Sequence, residues 1–518
     1  MKNVKERFSG FIRQRKFTSS AFAVMVIVAV LLVNIILSTL TTAFDWYFYP
    51  QEQPDLSISD TFTEKFNEAK ARGEKVTVTF CMDENEVKTH STGAYVYETA
   101  QKFVEKYGSF ITLRYINLVT MYDQDGNDVS EELELYKKDM RGNEQPIYRS
   151  SIIFRSENSY NVVTDRTSGI GYVDFYTLNS EGYVTSYRGE EVFGSMINWV
   201  LNDDHGNAYF TVGHGESANQ SLQTALICAG YYVDTINLKD NKKDADGVRE
   251  VVKKLEGADL IIISNPTTDF EKKLEGSSVV TELELLRSYA RDGGSFFVTI
   301  DPYVTNEKMA NLFGLLSDFG ISMLDHTENG ITERQTIQDL TNGITTDGFT
   351  LVTEFGENAT AQKMAELMGE KRVILRDVAP LKLSGEAKPL LVTSDSSECY
   401  ANGRVTDSEG GYSVAAYSKL VSETGKTAEL FFIPSVFLTA TDAMVTNGYG
   451  NKDFVYSLFE VLYGVGDMPY GTNSIVYDSG VLENLTMGTA KTITAILLAI
   501  PMVLAVVGAV VLIRRKNR

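Results

Sequence analysis

Two predominantly apolar runs, 21–40 and 492–513, stand apart from an otherwise amphipathic chain of 518 residues. A helix needs roughly 20 mostly apolar residues to cross the hydrocarbon core, where no water satisfies an open backbone. Both runs reach that length, so each predicts a transmembrane helix. Lys2, Lys5, Arg7, Arg13, Arg15 and Lys16 precede the first run, and Arg514, Arg515, Lys516 and Arg518 follow the second. Cationic flanks resist translocation, which predicts cytoplasmic termini. The first run exceeds the roughly 7 to 15 apolar residues of a cleaved signal. Phe44, Trp46, Tyr47, Phe48 and Tyr49 add rings of the kind that settle at the headgroup level. The expected layout is a cytoplasmic tail at 1–20, transmembrane helices at 21–44 and 491–513, and a second cytoplasmic tail at 514–518. That is a two-pass cell-membrane protein with an extracytoplasmic domain between its anchors and the lipid bilayer among its partners.

Between the anchors the periodicity changes from element to element. Helical spacing over 60–72 (Phe62, Phe66, Ala69) gives way to strand alternation over 75–80, then a helix over 94–107 and a strand over 110–117. Together these read as a βαβ-like unit. The order resembles a thioredoxin-like half, yet the loop Cys81-Met82-Asp83-Glu84 lacks a second thiol, so dithiol redox chemistry is not expected. A polar stretch, 123–145, precedes strands at 151–155 and 159–164, and an amphipathic helix at 190–200 closes a thioredoxin-like α/β region spanning 60–200.

From Ala208 onward strands (208–212, 232–238, 259–264, 295–300) alternate with helices (217–230, 245–255, 279–292, 306–319). Short apolar runs such as Leu260-Ile261-Ile262-Ile263 suit strands covered on both faces, and the intervening helices imply parallel crossovers. The expectation for 205–325 is therefore an α/β domain with a doubly wound parallel sheet. A strand-rich remainder, 326–470, carries strands at 349–353, 372–375, 390–393, 412–417 and 428–433 and closes on a helix at 451–463.

The formal charge of −21 narrows the partners. Basic residues crowd both tails, so the intervening part is more acidic still and repels phosphate backbones, and no basic stripe interrupts it. Nucleic acid is excluded on that ground. Cys81, Cys228 and Cys399 are odd in number and share no short spacing, which fits neither a disulfide framework nor a structural zinc site. The first two read as core residues and Cys399 as part of a polar loop. His90, His205, His214 and His326 are dispersed, so neither a metal nor another cofactor is expected.

The segment Tyr209-Phe210-Thr211-Val212-Gly213-His214-Gly215-Glu216, preceded by a helix opening at Gly189-Glu190, resembles the signature of GldG-type auxiliary components of ABC transport systems. Three further segments carry the same resemblance in order. They are Asp259 through Thr267, then Tyr289-Ala290-Arg291-Asp292-Gly293-Gly294 with Asp301-Pro302, and Gly450-Asn451-Lys452-Asp453-Phe454. The chain departs at Pro434-Ser435-Val436-Phe437, where the family carries a more acidic segment. The resemblance implies an extracytoplasmic, gliding- or export-associated subunit working with an ABC permease and a separate ATPase subunit. Since the chain has no Gly-x-x-x-x-Gly-Lys-Ser/Thr loop, it does not supply the ATP hydrolysis itself.

Gly213, His214, Gly215 and Glu216 fall between a strand end and a helix start, where open α/β sheets place ligands. Glycines there allow close backbone approach, and free N–H groups favour an anion. Asn265 and Asp301, each just beyond a neighbouring strand, complete the candidate binding set for a small polar or envelope ligand. The plainer reading of the same loop is a tight βα turn with Glu216 set against the helix dipole and Ser217 as cap. No catalytic residue is assigned, because a hydrolase elbow of the Gly-x-Ser-x-Gly type is missing. The alternatives are an extracytoplasmic hydrolase of envelope glycan or peptide centred on His214, Glu216 and Asp301, and a solute sensor. Within the predicted spans, Asn34 and the small-residue pair Ala505 and Ala509 are the candidate contacts to a membrane partner.

Overall fold

Runs of β-branched and aromatic residues build two large sheets in this computed structural model, which describes residues 56–477 apart from 165–171, 179–181, 218, 273–279, 447 and 467. Of the chain's two units, Met1–Asp55 lies outside these residues, and all that follows belongs to Leu56–Arg518.

The N-terminal layer contains α1 (Thr63–Ala71), β1 (Val76–Phe80), α2 (Ala94–Tyr107), β2 (Ile111–Asn117), β3 (Tyr122–Asp123), β4 (Ile152–Arg155), β5 (Tyr160–Val163) and α3 (Gly189–Leu201). Its sheet runs β3-β2-β1-β4-β5, with β1 parallel to β2 and antiparallel to β4. Phe66, Val78, Phe103, Phe154 and Phe193 pack between this sheet and its helices.

The larger sheet collects β6 (Asn207–Thr211), β7 (Tyr232–Ile236), β8 (Leu260–Ser264), β9 (Ser295–Thr299), β10 (Glu354–Phe355), β11 (Lys388–Val392), β12 (Ser413–Val421) and β13 (Thr427–Ile433). Their order is β10-β11-β12-β13-β9-β8-β6-β7. The five from β13 to β7 are mutually parallel, and β12, β11 and β10 continue the sheet antiparallel. Strands from the stretch predicted as a separate remainder thus complete the sheet begun at Asn207. Alternation along β8 explains its all-apolar run. Leu260 and Ile262 enter one core with α4 (Gln220–Cys228), α8 (Ala359–Met368) and α10 (Asn451–Tyr463). Ile261 and Ile263 enter the other, beneath α5 (Glu250–Glu256), α6 (Glu282–Arg291) and α7 (Ala310–Asp318). Each such side chain, fully buried, contributes about 1.5–3 kcal/mol.

One expectation is corrected. Among the described residues no helix is long and apolar enough to cross a membrane. The longest apolar-faced helix, α2, has 14 residues, about 21 Å against a hydrocarbon core of about 30 Å. Both predicted spans lie outside the described residues, as do Asn34, Ala505 and Ala509. The fold is a mixed α/β body of many sheets. The description of it as flanked by two transmembrane helices is not supported, nor is the two-pass cell-membrane placement with cytoplasmic termini and a lipid bilayer partner.

Two segments singled out in the sequence meet as ties between the layers. The α3 carboxylate Glu190 accepts from the backbone of Ser59 and Asn473, both at 2.7 Å. Its neighbour Glu191 pairs with Lys452 of α10 at 3.0 Å and accepts from the Tyr456 hydroxyl. The Asn451 side chain accepts from Ile374 N and donates to Ile374 O.

Candidate functional site

The chain leaves β6 for β7 on one side, then crosses back to β8 on the other, so the parallel sheet has its switch point between the carboxyl ends of β6 and β8. Crevices for ligands form at such points because the two connections diverge. A cleft of about 340 Å³ opens there. Ser217 comes from beyond β6, Ser264 and Asn265 from the end of β8, and Thr299 from the end of β9. Asn219 and Gln220 at the start of α4 and Thr439 and Thr441 beside α9 (Thr441–Val445) close the polar wall, and Leu178, Val436 and Ala440 add apolar surface. Among the described residues, no charged side chain lines it.

Asn265 organises this cleft. Its backbone is left-handed at φ 51°, a conformation that asparagine tolerates better than most residues. Its N–H donates to Thr299 O at 2.9 Å, and its Oδ1 accepts from Asp301 N at 2.9 Å. Its amide also approaches Ser217 Oγ at 3.4 Å. Asp301 itself turns away into its own loop, where Oδ1 accepts from Tyr303 N at 2.8 Å.

The four residues Gly213 to Glu216 form something different. His214 is 1% exposed. Its Nδ1 meets Glu216 Oε1 at 3.1 Å and its Nε2 meets the Glu282 carboxylate at 3.0 Å. The ring lies 4.1 Å from that of Phe270. Glu216 also accepts from His214 N at 2.7 Å, and Glu282 from Glu271 N at 2.8 Å. Burial opposes a charge on the imidazole, but the bonds to Glu216 and Glu282 and their negative charge outweigh it and push His214 up to about 9. Burial likewise raises both carboxyls, while the histidine draws each below its ordinary value. The result is an imidazolium clamped between two carboxylates. Gly215 makes the loop possible: it has φ +72°, and a Cβ there would sit 2.1 Å from Thr267 Oγ1. His214 O accepts from Thr267 N and Thr268 N at 2.8 and 3.0 Å, locking the two βα loops together.

Of the predicted site residues, only Asn265 lines the cleft. His214 and Glu216 meet each other but pack inward, away from it, and Asp301 joins neither. Both histidine nitrogens are engaged by glutamates, so neither ring nitrogen is bonded to Ser217 or Asp301. Ser217 does not cap the helix either. Asn219 does, its side chain accepting from Leu222 N at 2.9 Å, while Ser217 N donates to Ser264 O at 3.1 Å. The later start of α4 leaves the Ser217 side chain for the cleft. Thr299, Thr439 and Thr441 were not anticipated. Thr299 carried a usable signal, as the last residue of a strand next to the switch point; Thr439 and Thr441 carried none. Val436 belongs to the segment where the chain departs from the GldG pattern. Cys399, expected in a polar loop, is buried in a strand, Glu398–Ala401.

No family model matches the chain, and no curated protein matches it. Solved structures similar to it include the mmIFT52 N-terminal domain, at 16% identity and a TM-score of 0.35 over 51% of this chain and 99% of that one. A putative ThuA-like protein from Bacteroides uniformis ATCC 8492 shares 10% identity at a TM-score of 0.31, over 50% of this chain and 91% of its own. PurLQS from Thermotoga maritima shares 11% at 0.27, over 50% of this chain and 99% of its own. Likeness this distant carries no assignment of function.

Proposed function

We propose that this chain is a non-catalytic, ligand-binding auxiliary subunit of an ABC-type transport system, acting beside a permease and a separate ATPase. The observation that supports it is the switch-point cleft: a recess walled by hydroxyls and carboxamides and, among the described residues, by no charged side chain, within a chain of net charge −21. Such a wall hydrogen-bonds a small uncharged polar ligand and sets no charged group against it. The GldG resemblance supports the transport context. A hydrolase centred on His214 is disfavoured, because a general base needs a free nitrogen within reach of substrate and both ring nitrogens are engaged.

Ligand binding is tested by thermal shift against uncharged polyols, sugars and amides beside matched anions and cations, because a ligand of the native state raises the melting temperature. Uncharged ligands alone are expected to shift it, and Asn265→Asp, which places a charge in the cleft, is expected to abolish the shift. A response confined to ions would refute this reading of the cleft. Co-purification of a permease and an ATPase with the affinity-tagged chain tests the transport context, and their absence would remove it.

A further inference from the structure

Among the described residues, the N-terminal sheet ends on an edge strand that no further strand covers. Strand β5 pairs antiparallel with β4 in an unbroken register and, among the described residues, with no strand on its other side. Natural sheets guard such edges with charges, prolines or bulges. Here the strand reads Tyr160-Asn161-Val162-Val163 and carries none of these.

The edge is also one wall of a groove of about 560 Å³. Tyr160 through Thr164 form that wall, Val192, Met196 and Trp199 of α3 form the floor, and Ile227 of α4 faces it from the other side, 37% exposed. Four residues of strand, Tyr160–Val163, offer about 13 Å of main chain. An exposed edge beside an apolar floor is the arrangement by which sheets take up an extended peptide: main-chain bonds supply affinity, and alternate side chains fill the slot. Helical or globular partners would leave the edge's N–H and C=O groups unmet.

Charge selects among extended peptides. Among the described residues, the groove holds Asp139, Asp174 and one cation, Arg141. That cation is already engaged, 3.0 Å from Asp139 and 4.1 Å from the centre of the Tyr232 ring. With −21 on the chain as a whole, an acidic segment is repelled and a basic one attracted. Leu178 and Gln220 line both the groove and the cleft described above, so an occupant's end reaches that cleft.

We propose that this groove binds an extended segment of a partner protein, alternating lysine or arginine with apolar residues, as an added strand on β5. The inference does not depend on what the cleft binds.

The test uses the full chain and a fluorescein-labelled peptide of alternating lysine and valine. Three comparison peptides are the glutamate–valine analogue and lysine–valine peptides N-methylated along one backbone edge or the other. Saturable binding is expected, together with slower hydrogen exchange at the Tyr160–Thr164 amides. The glutamate analogue and one of the two N-methylated peptides should bind at least about tenfold more weakly. Ile227→Lys, which removes apolar surface from the exposed wall and sets a like charge against the peptide, should weaken the lysine–valine peptide to a similar degree; the exchange measurement on the unaltered chain keeps the test decisive should that variant fold poorly. Equal affinity for both N-methylated peptides and their parent would show mere charge attraction and overturn the proposal. So would unchanged exchange at β5, or self-association of the chain that protects the same amides without any peptide.

Discussion

Replacing His214 by glutamine removes the cation from between Glu216 and Glu282 while keeping a side chain of similar reach. At pH 6 the imidazolium is intact, and stripping it leaves two buried carboxylates facing one cavity. Breaking a buried pair in this way costs about 3–5 kcal/mol. The pH dependence supplies a second magnitude. The folded imidazole titrates at about 9 against an ordinary value of 6.5, and with each tenfold of proton affinity equal to about 1.4 kcal/mol, the clamp contributes about 3 kcal/mol. Because the folded value is the higher one, that stabilisation is complete below pH 6.5 and disappears as pH rises through about 9. Glu216 and Glu282 run the other way: their folded values are depressed, so their share is present above the ordinary carboxyl range and fades as pH falls through the depressed values. The assay is urea unfolding of wild type and His214→Gln at closely spaced pH. Wild type should lose about 3 kcal/mol between pH 6 and pH 10 relative to the variant. Parallel curves, or a variant as stable as wild type at pH 6, would falsify the clamp.

Gly215→Ala should cost about 2–4 kcal/mol in the same assay, since the new Cβ both enters the left-handed region and meets Thr267. Lys452→Met should lower stability by about 1.5–3 kcal/mol by removing the charged donor bonded to buried Glu191, with Arg188 and the Tyr456 hydroxyl still acting on that carboxylate, and the double change with Glu191→Gln should recover part of it. Asn265→Ala should cost about 1–3 kcal/mol through strain at φ 51° and loss of the acceptor for Asp301 N. All three cysteines are buried, and burial raises each thiol, Cys228 and Cys399 to about 12. Ellman's reagent should therefore label none in the native chain and all three in urea; fast native labelling of any one would contradict its burial.

Local order was legible because hydrophobic period follows from local geometry. Helices α2 and α10 run over the spans their spacing predicts, Ala94–Tyr107 and Asn451–Tyr463, and the apolar run at Leu260 is a strand buried on both faces. Helix α8 was missed, although Asn358 caps it through Ala361 N and Gly369 ends it at φ 62°; its weak apolar face was lost among neighbouring strands. What pattern cannot supply is pairing over distance. Nothing near His214 announces Glu282, 68 residues on, as the partner of its second nitrogen. The Gly-His-Gly-Glu motif therefore looked like a ligand loop when its side chains point into the core. The cleft was legible only as a location. Its strand ends were visible, whereas the threonines beside α9 reach it through a return of the chain from beyond β13.

That return bears on how the protein is made. Strand β13 (Thr427–Ile433), the last of the eight strands in chain order, sits in the middle of the sheet between β9 and β12. A nascent chain halted before Thr427 therefore presents β9, with Phe296 and Phe297, as an open sticky margin. Assembly of the large sheet waits for Thr427–Ile433 to be made, and truncations that remove β13 should emerge as aggregates rather than as smaller folded bodies.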